Sequence, residues 1–164
     1  VPLLQNVYQA DAAHTNFGKY TLYSCYGVSS NGNKFPVCLA ILFGNEDKEG
    51  WTKFWEFATH IHPCINRPVT TVISDQQKGS IAAFAEVVPL AVNFFCSFQC
   101  RENIKKFVKG GNGEYSCMWL YNLLLNAKTP AAIDKHRFEH AQDMQEDALC
   151  FLNSIPDSQQ FLVA

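Results

Sequence analysis

Two aspartates stand at positions where a carboxylate is uncommon unless it has a task. Asp75 ends the β-branched segment 69–75 just before a predicted helix, and Asp11 lies inside the predicted first strand. Because aspartate is depleted within strands, the position of Asp11 is unusual. Carboxylate oxygens are the ligands that Mg²⁺ and Mn²⁺ prefer. If the fold brings the two residues side by side, they form a site for a divalent cation.

Each aspartate also has an ordinary interpretation. An Asp between a strand and a helix often serves as the helix N-cap, which would account for Asp75. Asp11 could be a solvated strand residue close to a turn. His14, three residues after Asp11, either faces the candidate site or is simply exposed near the turn.

A second group of side chains has spacings typical of zinc ligands. Cys96 and Cys100 are four residues apart, as are His136 and His140, and a helix would place the two histidines on one face. These residues are therefore an alternative metal site, in which zinc would stabilise the domain. The competing interpretation is a core cysteine with a solvent-facing pair of histidines.

Composition and charge describe a globular protein without a strong electrostatic field. The 164 residues are 48% hydrophobic and 17% charged, which is sufficient to fill a core. The net charge of −2 excludes general attraction to nucleic acid, so DNA contact requires a local patch or a neighbouring domain. The basic cluster, which either solvates a helix face or contacts a phosphate backbone, consists of Arg101, Lys105, Lys106 and Lys109.

The cysteine content and the chain ends bear on location. Seven cysteines, an odd number partly placed in apolar segments, favour a reducing intracellular compartment over a disulfide framework. The sequence shows neither a secretion leader nor an apolar run long enough for a membrane span. Because the chain starts at Val1 without an initiator Met, we expect it to be an excised piece of a longer protein.

Hydrophobic periodicity predicts the order β-β-β-α-β-α-β, followed by helices. The predicted elements of the first part are strands 3–13, 20–28 and 35–43, helix 48–62, strand 69–74, helix 78–87 and strand 91–98. Asn45 and Asp47 offer N-caps for the first helix. Beyond them we predict helices 101–108 and 115–126, then one long helix from Pro130 to about Ser154 with Phe138 and Leu152 on its inner face.

Several ordered motifs resemble the catalytic core of Mutator-like element (MULE) transposases. They are Ala10-Asp11-Ala-Ala-His14, the acidic turn Asn45-Glu-Asp-Lys-Glu-Gly-Trp51, Val72-Ile-Ser-Asp75 with Gly79-Ser-Ile-Ala-Ala83 after it, and Phe95-Cys96-Ser-Phe-Gln99. Each motif alone is loose, but their order and spacing are fairly specific. The ordered match covers about residues 3–108.

The resemblance implies a ribonuclease H-like α/β fold with a mixed five-stranded sheet. It implies a core at residues 1–108 and a helical insertion or extension of the same domain at 109–164. Strands one and four are neighbours in such folds, which would bring Asp11 and Asp75 together as catalytic ligands for two Mg²⁺ or Mn²⁺ ions. The implied activity is DNA cleavage and strand transfer by a nuclear transposase, with DNA as partner and a homo-oligomer possible.

The sequence departs from the family pattern at two points. The family usually has Cys-x-x-His where this chain has Cys96-Ser-Phe-Gln99. Its third catalytic acid, a Glu beyond a helical insertion, has no convincing counterpart before Ala164, although Glu139 and Glu146 are formal substitutes. We therefore expect either an incomplete catalytic core or a domesticated, inactive descendant that works as a binding or assembly module.

Overall fold

The structure is a computed structural model that describes residues 4–107, 112–127, 129–143 and 146–155. The chain divides into two compact units, one ending at Cys96 and the other beginning at Ser97. The sheet unit contains β1 (Leu4–His14), β2 (Tyr20–Ser29), β3 (Lys34–Phe43), α1 (Lys48–Ile61), a 3₁₀ turn (Pro63–Ile65), β4 (Thr71–Ser74), α2 (Lys78–Val87) and β5 (Val92–Phe95). The helical unit contains α3 (Ser97–Phe107), α4 (Asn112–Leu125), α5 (Pro130–His140), a 3₁₀ turn (Ala141–Asp143) and α6 (Glu146–Asn153).

The five strands form one mixed sheet in the order β3-β2-β1-β4-β5. Neighbouring strands are antiparallel from β1 to β3, as tight turns require, and parallel from β1 through β4 to β5, as helical crossovers require. Gly32, at φ +81°, provides the left-handed conformation in the turn between β2 and β3. The predicted β-β-β-α-β-α-β order and ribonuclease H-like fold are confirmed.

An aromatic core joins α1 and α2 to one face of this sheet. Trp51 meets the ring of Tyr23 edge-on at 5.0 Å, and Trp55 meets Phe84 of α2 at 5.4 Å. These rings are buried or nearly so, with Val72 of β4 in the same cluster. Full burial of side chains of this size stabilises a fold by about 1.5–3 kcal/mol each. The core therefore holds both helices against the sheet that contains β1 and β4.

The strand β3 forms one edge of the sheet and has two distinct halves. Pro36 lies opposite Tyr26, beside an irregularity in the register between β2 and β3. Beyond it the side chains of Leu39, Ile41 and Phe43 are 52%, 64% and 75% exposed. The side chains of these three residues therefore point away from the aromatic core, whereas Ala40 and Leu42 pack against it.

The predicted long helix from Pro130 to Ser154 is wrong, because the segment forms α5, a 3₁₀ turn and α6. Ile133 of α5 and Leu152 of α6 are both fully buried. In one straight helix, at about 100° per residue, these two side chains would point about 100° apart, so the break allows both to be buried. Phe138, predicted on the inner face, is 85% exposed.

The ends of the helices follow ordinary capping chemistry. Asp47 accepts a hydrogen bond from the Gly50 N–H at the start of α1, and Thr129 accepts one from Ala132 ahead of Pro130 in α5. The cap at Asp47 agrees with the prediction. No described helix is long and apolar enough to cross a membrane. The cysteines with described side chains are free thiols.

Candidate active site

The parallel pairing of β1 with β4 aligns the two predicted aspartates. The paired positions are Val7 with Thr71, Tyr8 with Val72 and Gln9 with Ile73. Continuing this register by two residues sets Asp11 opposite Asp75, which directly follows β4. Neighbouring strands are about 4.8 Å apart, and paired residues of parallel strands point to the same face. The structure thus brings the two predicted ligands to adjacent positions.

Asp75 is held in a half-buried loop between β4 and α2. Its Oδ1 accepts a hydrogen bond of 3.1 Å from the Gln77 N–H, but the N-cap of α2 is Gln77, whose Oε1 accepts from Ser80 at 2.6 Å. The ordinary N-cap interpretation of Asp75 is therefore wrong. Burial raises the pKa of Asp75 above its usual value; the Gln77 hydrogen bond opposes this shift, and the carboxylate of Asp11 adds to it.

Asp11 is the exposed partner in this pair. Its backbone carbonyl accepts a hydrogen bond of 3.2 Å from Ser24 Oγ, and its side chain accepts one from the Ala12 N–H. His14, at the end of the same strand, is exposed and lies 3.5 Å through Nδ1 from Thr21 Oγ1. The site is therefore open to solvent on the side of β1, as access for a large substrate requires.

A third carboxylate, which the sequence analysis did not select, belongs to this neighbourhood. Glu46 lies in the turn between β3 and α1 and is half-buried. Burial raises its pKa; the hydrogen bond from Trp51 lowers it, Asp75 raises it, His14 lowers it and Asp11 raises it. The carboxylates of both predicted ligands therefore influence the pKa of Glu46. The available sequence signal was the acidic turn ahead of a tryptophan-containing helix, which contributed helix caps and one motif of the family resemblance but no metal ligand.

The donor set fits a hard divalent cation. Three carboxylates, two of them with pKa values raised by burial and by like charge, carry an electrostatic cost that Mg²⁺ or Mn²⁺ would offset. The ligand atoms of the three carboxylates are not all within 4.8 Å of one another. Among the described residues, a different group meets this distance criterion. Two ions about 3.5–4 Å apart would in any case spread their ligands over a wider site.

The group that meets the criterion consists of His136, Glu139 and His140 on α5. It contains both histidines of the predicted zinc set, but neither Cys96 nor Cys100 belongs to it. Cys100 is fully buried. Cys96 is the last residue of the sheet unit, whereas the other three residues of the predicted zinc set belong to the helical unit.

The basic cluster lies on α3 and is largely engaged in pairs. Arg101 donates to Asn122 at 2.8 Å, Lys105 forms an ion pair with Glu102 at 2.6 Å, and Lys106 donates to Asn103 at 2.9 Å. Exposed pairs of this kind are weak, so a stronger anion could displace them. Lys109 lies outside the described residues.

The two departures from the family pattern lie in the helical unit or at its border. Cys96 follows β5, and Gln99, at the position of the family's His, is in the first turns of α3. Glu139 pairs with Lys135 at 3.7 Å in α5, and Glu146 is exposed in the first turn of α6. Both substitutes for the third acid therefore belong to the helical unit, whereas Asp11 and Asp75 belong to the sheet unit.

The strand order, with Asp11 in β1 and Asp75 directly after the neighbouring β4, defines a ribonuclease H-like protein with a candidate metal site. Residues 7–103 match the MULE transposase domain, which is more than half of the 164 residues. The chain belongs to the MULE transposase family. No curated protein matches the sequence.

Among solved structures, the fold is similar to a chain in the structure of the simian T-cell lymphotropic virus intasome in complex with the PP2A regulatory subunit B56 gamma. The identity is 11% and the TM-score is 0.41, with 92% of this chain and 47% of that chain covered. This chain thus spans about half the length of that protein. A similarity this low supports no statement about function.

Proposed function

We propose that this chain is the catalytic core of a DNA transposase that cleaves phosphodiester bonds and transfers strands. The observation that carries the proposal is the parallel register of β1 and β4 in a MULE family domain, which, continued by two residues, sets Asp11 opposite Asp75. A second support is the raised pKa of Asp75, to which Asp11 contributes. Perturbed carboxyls brought together in this way are typical of catalytic metal sites.

In this reaction Asp11 and Asp75 would hold the ions through their carboxylate oxygens. Bound Mg²⁺ or Mn²⁺ would activate a water or a 3′-hydroxyl and stabilise the leaving oxygen during in-line displacement. The role of Gln77 is to hold Asp75, because its N–H binds one carboxylate oxygen. Exposure of Asp11 leaves room for a DNA backbone at the site.

A cleavage and strand-transfer assay on the full-length protein tests the proposal. We expect Asp75→Ala to abolish Mg²⁺- or Mn²⁺-dependent product, and Glu56→Gln, an exposed carboxylate on α1 of the same unit, to leave it unchanged. Circular dichroism of both variants checks that the fold is kept. Activity of Asp75→Ala equal to that of the unmodified protein would refute the assignment.

The rival function is a domesticated module that keeps the fold as a binding or assembly surface. It is favoured by Gln99 in place of the family's His and by the position of Glu139 and Glu146 in the helical unit. A full-length protein that binds DNA but neither binds Mn²⁺ nor cleaves would establish this alternative. A zinc-stabilised domain is the third possibility, and metal analysis of the purified protein tests it.

The partners and location follow from the same proposal. DNA would be bound through neighbouring domains together with the local basic cluster on α3, because the net charge of −2 provides no general attraction. A transposase core of this class would act in the nucleus and could assemble as a homo-oligomer. Imaging of a tagged full-length protein and light scattering with and without DNA test these two points.

A further inference from the structure

Two imidazoles and one carboxylate converge on one face of α5. The candidate ligand atoms of His136, Glu139 and His140 all lie within 4.8 Å of one another. Residues three and four positions apart on a helix are neighbours on its surface, so the backbone of a single element sets this spacing. An ion at about 2.0–2.2 Å from each donor atom needs donors about 3–4 Å apart, which modest side-chain rotation provides. The three side chains are therefore close enough to share one ion.

His136 has a buried nitrogen without a partner. The side chain is half-buried, and its Nδ1 has neither contact with solvent nor a hydrogen-bond partner among the described residues. Buried polar atoms are nearly always paired, and an unpaired one is explained in many proteins by a bound ion or water. Coordination of an ion through Nδ1 would satisfy this atom. The unpaired nitrogen therefore favours a ligand at this ring, independently of the spacing.

The other two side chains are compatible with the same ion. The indole of Trp119 on α4 meets the ring of His140 edge-on, with 4.4 Å between the ring centroids. A contact of this kind orients an imidazole without using its nitrogen atoms. Glu139 is exposed and pairs with Lys135 at 3.7 Å, and an exposed ion pair of this length contributes little. A divalent ion would displace this lysine from the carboxylate.

We propose that His136, Glu139 and His140 form a binding site for Zn²⁺ or a similar divalent transition-metal ion. Imidazole nitrogen together with carboxylate oxygen suits zinc, whereas Mg²⁺ and Ca²⁺ are bound mainly by oxygen. Three protein ligands leave the fourth tetrahedral position to a water molecule or to a donor from another molecule. The site differs from the zinc set predicted from the sequence, because it needs neither Cys96 nor Cys100.

This site is independent of the proposed active site and of the fold. Its ligands belong to the helical unit, whereas Asp11 and Asp75 belong to the sheet unit. All three ligands come from one helix, so a bound ion joins no separate elements and the fold does not require it. The ion is therefore exchangeable, in contrast to a structural zinc.

Calorimetric titration of the full chain with Zn²⁺, in excess Mg²⁺, tests the proposal. We expect His136→Gln, His140→Gln and Glu139→Gln each to weaken the binding of one Zn²⁺ equivalent. The loss should exceed the about 10–100-fold that follows removal of an outer-shell partner, because each variant lacks a direct ligand. Since Glu139 is exposed, its replacement keeps the test available if a histidine variant fails to fold. The matched control is Asp134→Asn, which removes an exposed carboxylate from the same helix.

The outcomes of the titration are decisive in either direction. Weaker binding in the three ligand variants, with binding unchanged in Asp134→Asn and in Asp75→Asn, supports the site. Zn²⁺ binding that the ligand variants leave unchanged, a loss that Asp134→Asn or Asp75→Asn shares, or no binding by the unmodified chain overturns it. Far-ultraviolet circular dichroism shows whether each variant keeps its helices.

Fluorescence gives a second readout that depends on where the ion lies. A paramagnetic ion such as Ni²⁺ quenches the emission of a nearby indole, and Trp119 lies against the ring of His140. We therefore expect Ni²⁺ to quench the emission of Trp119. Trp119→Phe should remove this quenching and keep the Zn²⁺ affinity within a few-fold, because phenylalanine still presents an aromatic ring to His140. Quenching that is the same in Trp119→Phe would contradict the proposed position.

Discussion

Replacement of Asp75 by Asn should stabilise the metal-free protein. The substitution removes one charge from a half-buried position beside Asp11 while keeping the Oδ1 acceptor for Gln77. At the strand spacing of about 5 Å, two like charges repel by about 3 kcal/mol at an effective dielectric constant of 20 and by about 0.8 kcal/mol in water. Because Asp11 is exposed, the lower part of this range applies, and we expect a gain of about 1 kcal/mol.

The pH dependence of this gain has a definite sign. The folded-state pKa of Asp75 is raised above the unfolded value, so the folded state holds its proton more tightly. The penalty of ionisation is therefore absent below an unfolded pKa of about 3.9 and grows as the pH rises through the folded pKa. The advantage of Asp75→Asn should be largest at neutral pH and should disappear toward pH 4.

Urea unfolding followed by tryptophan fluorescence, with EDTA present, measures the effect. A gain of about 1 kcal/mol corresponds to about 2–4 °C in melting temperature for a chain of this size. In 1 M salt, where the Debye length is about 3 Å, the gain should shrink. Glu56→Gln on the exposed side of α1 is the control, with a change within about 0.5 kcal/mol. Destabilisation by Asp75→Asn, or a gain that Glu56→Gln shares, would refute the electrostatic reasoning.

Three further predictions concern other parts of the chain. Gly79→Ala should destabilise the fold by about 1–3 kcal/mol, since the added methyl group would lie 2.6 Å from the Lys48 nitrogen; a stabilised variant in thermal melts would contradict this. Iodoacetamide at pH 8 should label the exposed Cys150 and spare Cys25, because burial raises the pKa of Cys25 to about 12; mass spectrometry after brief labelling decides. Treatment with EDTA should leave the melting temperature unchanged, because the group of possible metal ligands around His136 in the described residues includes neither cysteine of the predicted zinc set; a fall of several degrees restored by zinc would show a structural ion.

The first unit was predictable because its local signals agree with its packing. The predicted bounds of α2, residues 78–87, match the structure residue for residue, and Asp47 caps α1 as expected. The alternation of strands with helices was sufficient to predict that β1, β4 and β5 run parallel to one another. The predicted strand 91–98 ends at Phe95, because a helix starts at Ser97. The apolar residues around Ser97 favoured the prediction of a longer strand.

The helical part and the third carboxylate were not predictable from local pattern. No glycine or proline marks the break after His140, and only burial of both Ile133 and Leu152 reveals why one helix does not suffice. Glu46 reads as an ordinary residue of an acidic turn until the tertiary contacts of Trp51 and Gln77 are known. The alignment of Asp11 with Asp75 was inferred from the family resemblance, since a register between distant strands has no local sequence signal.

The edge formed by β3 offers two different surfaces to a second copy of the chain. A further strand adding alongside would find no amide hydrogen at Pro36 and a register irregularity next to it, so backbone pairing across that half is blocked. The half from Leu39 to Phe43 has no such block and exposes apolar side chains, so unwanted association in concentrated solution would begin there. A lysine in place of Ile41, on the face away from the aromatic core, is therefore the substitution of choice for keeping the protein dispersed at high concentration.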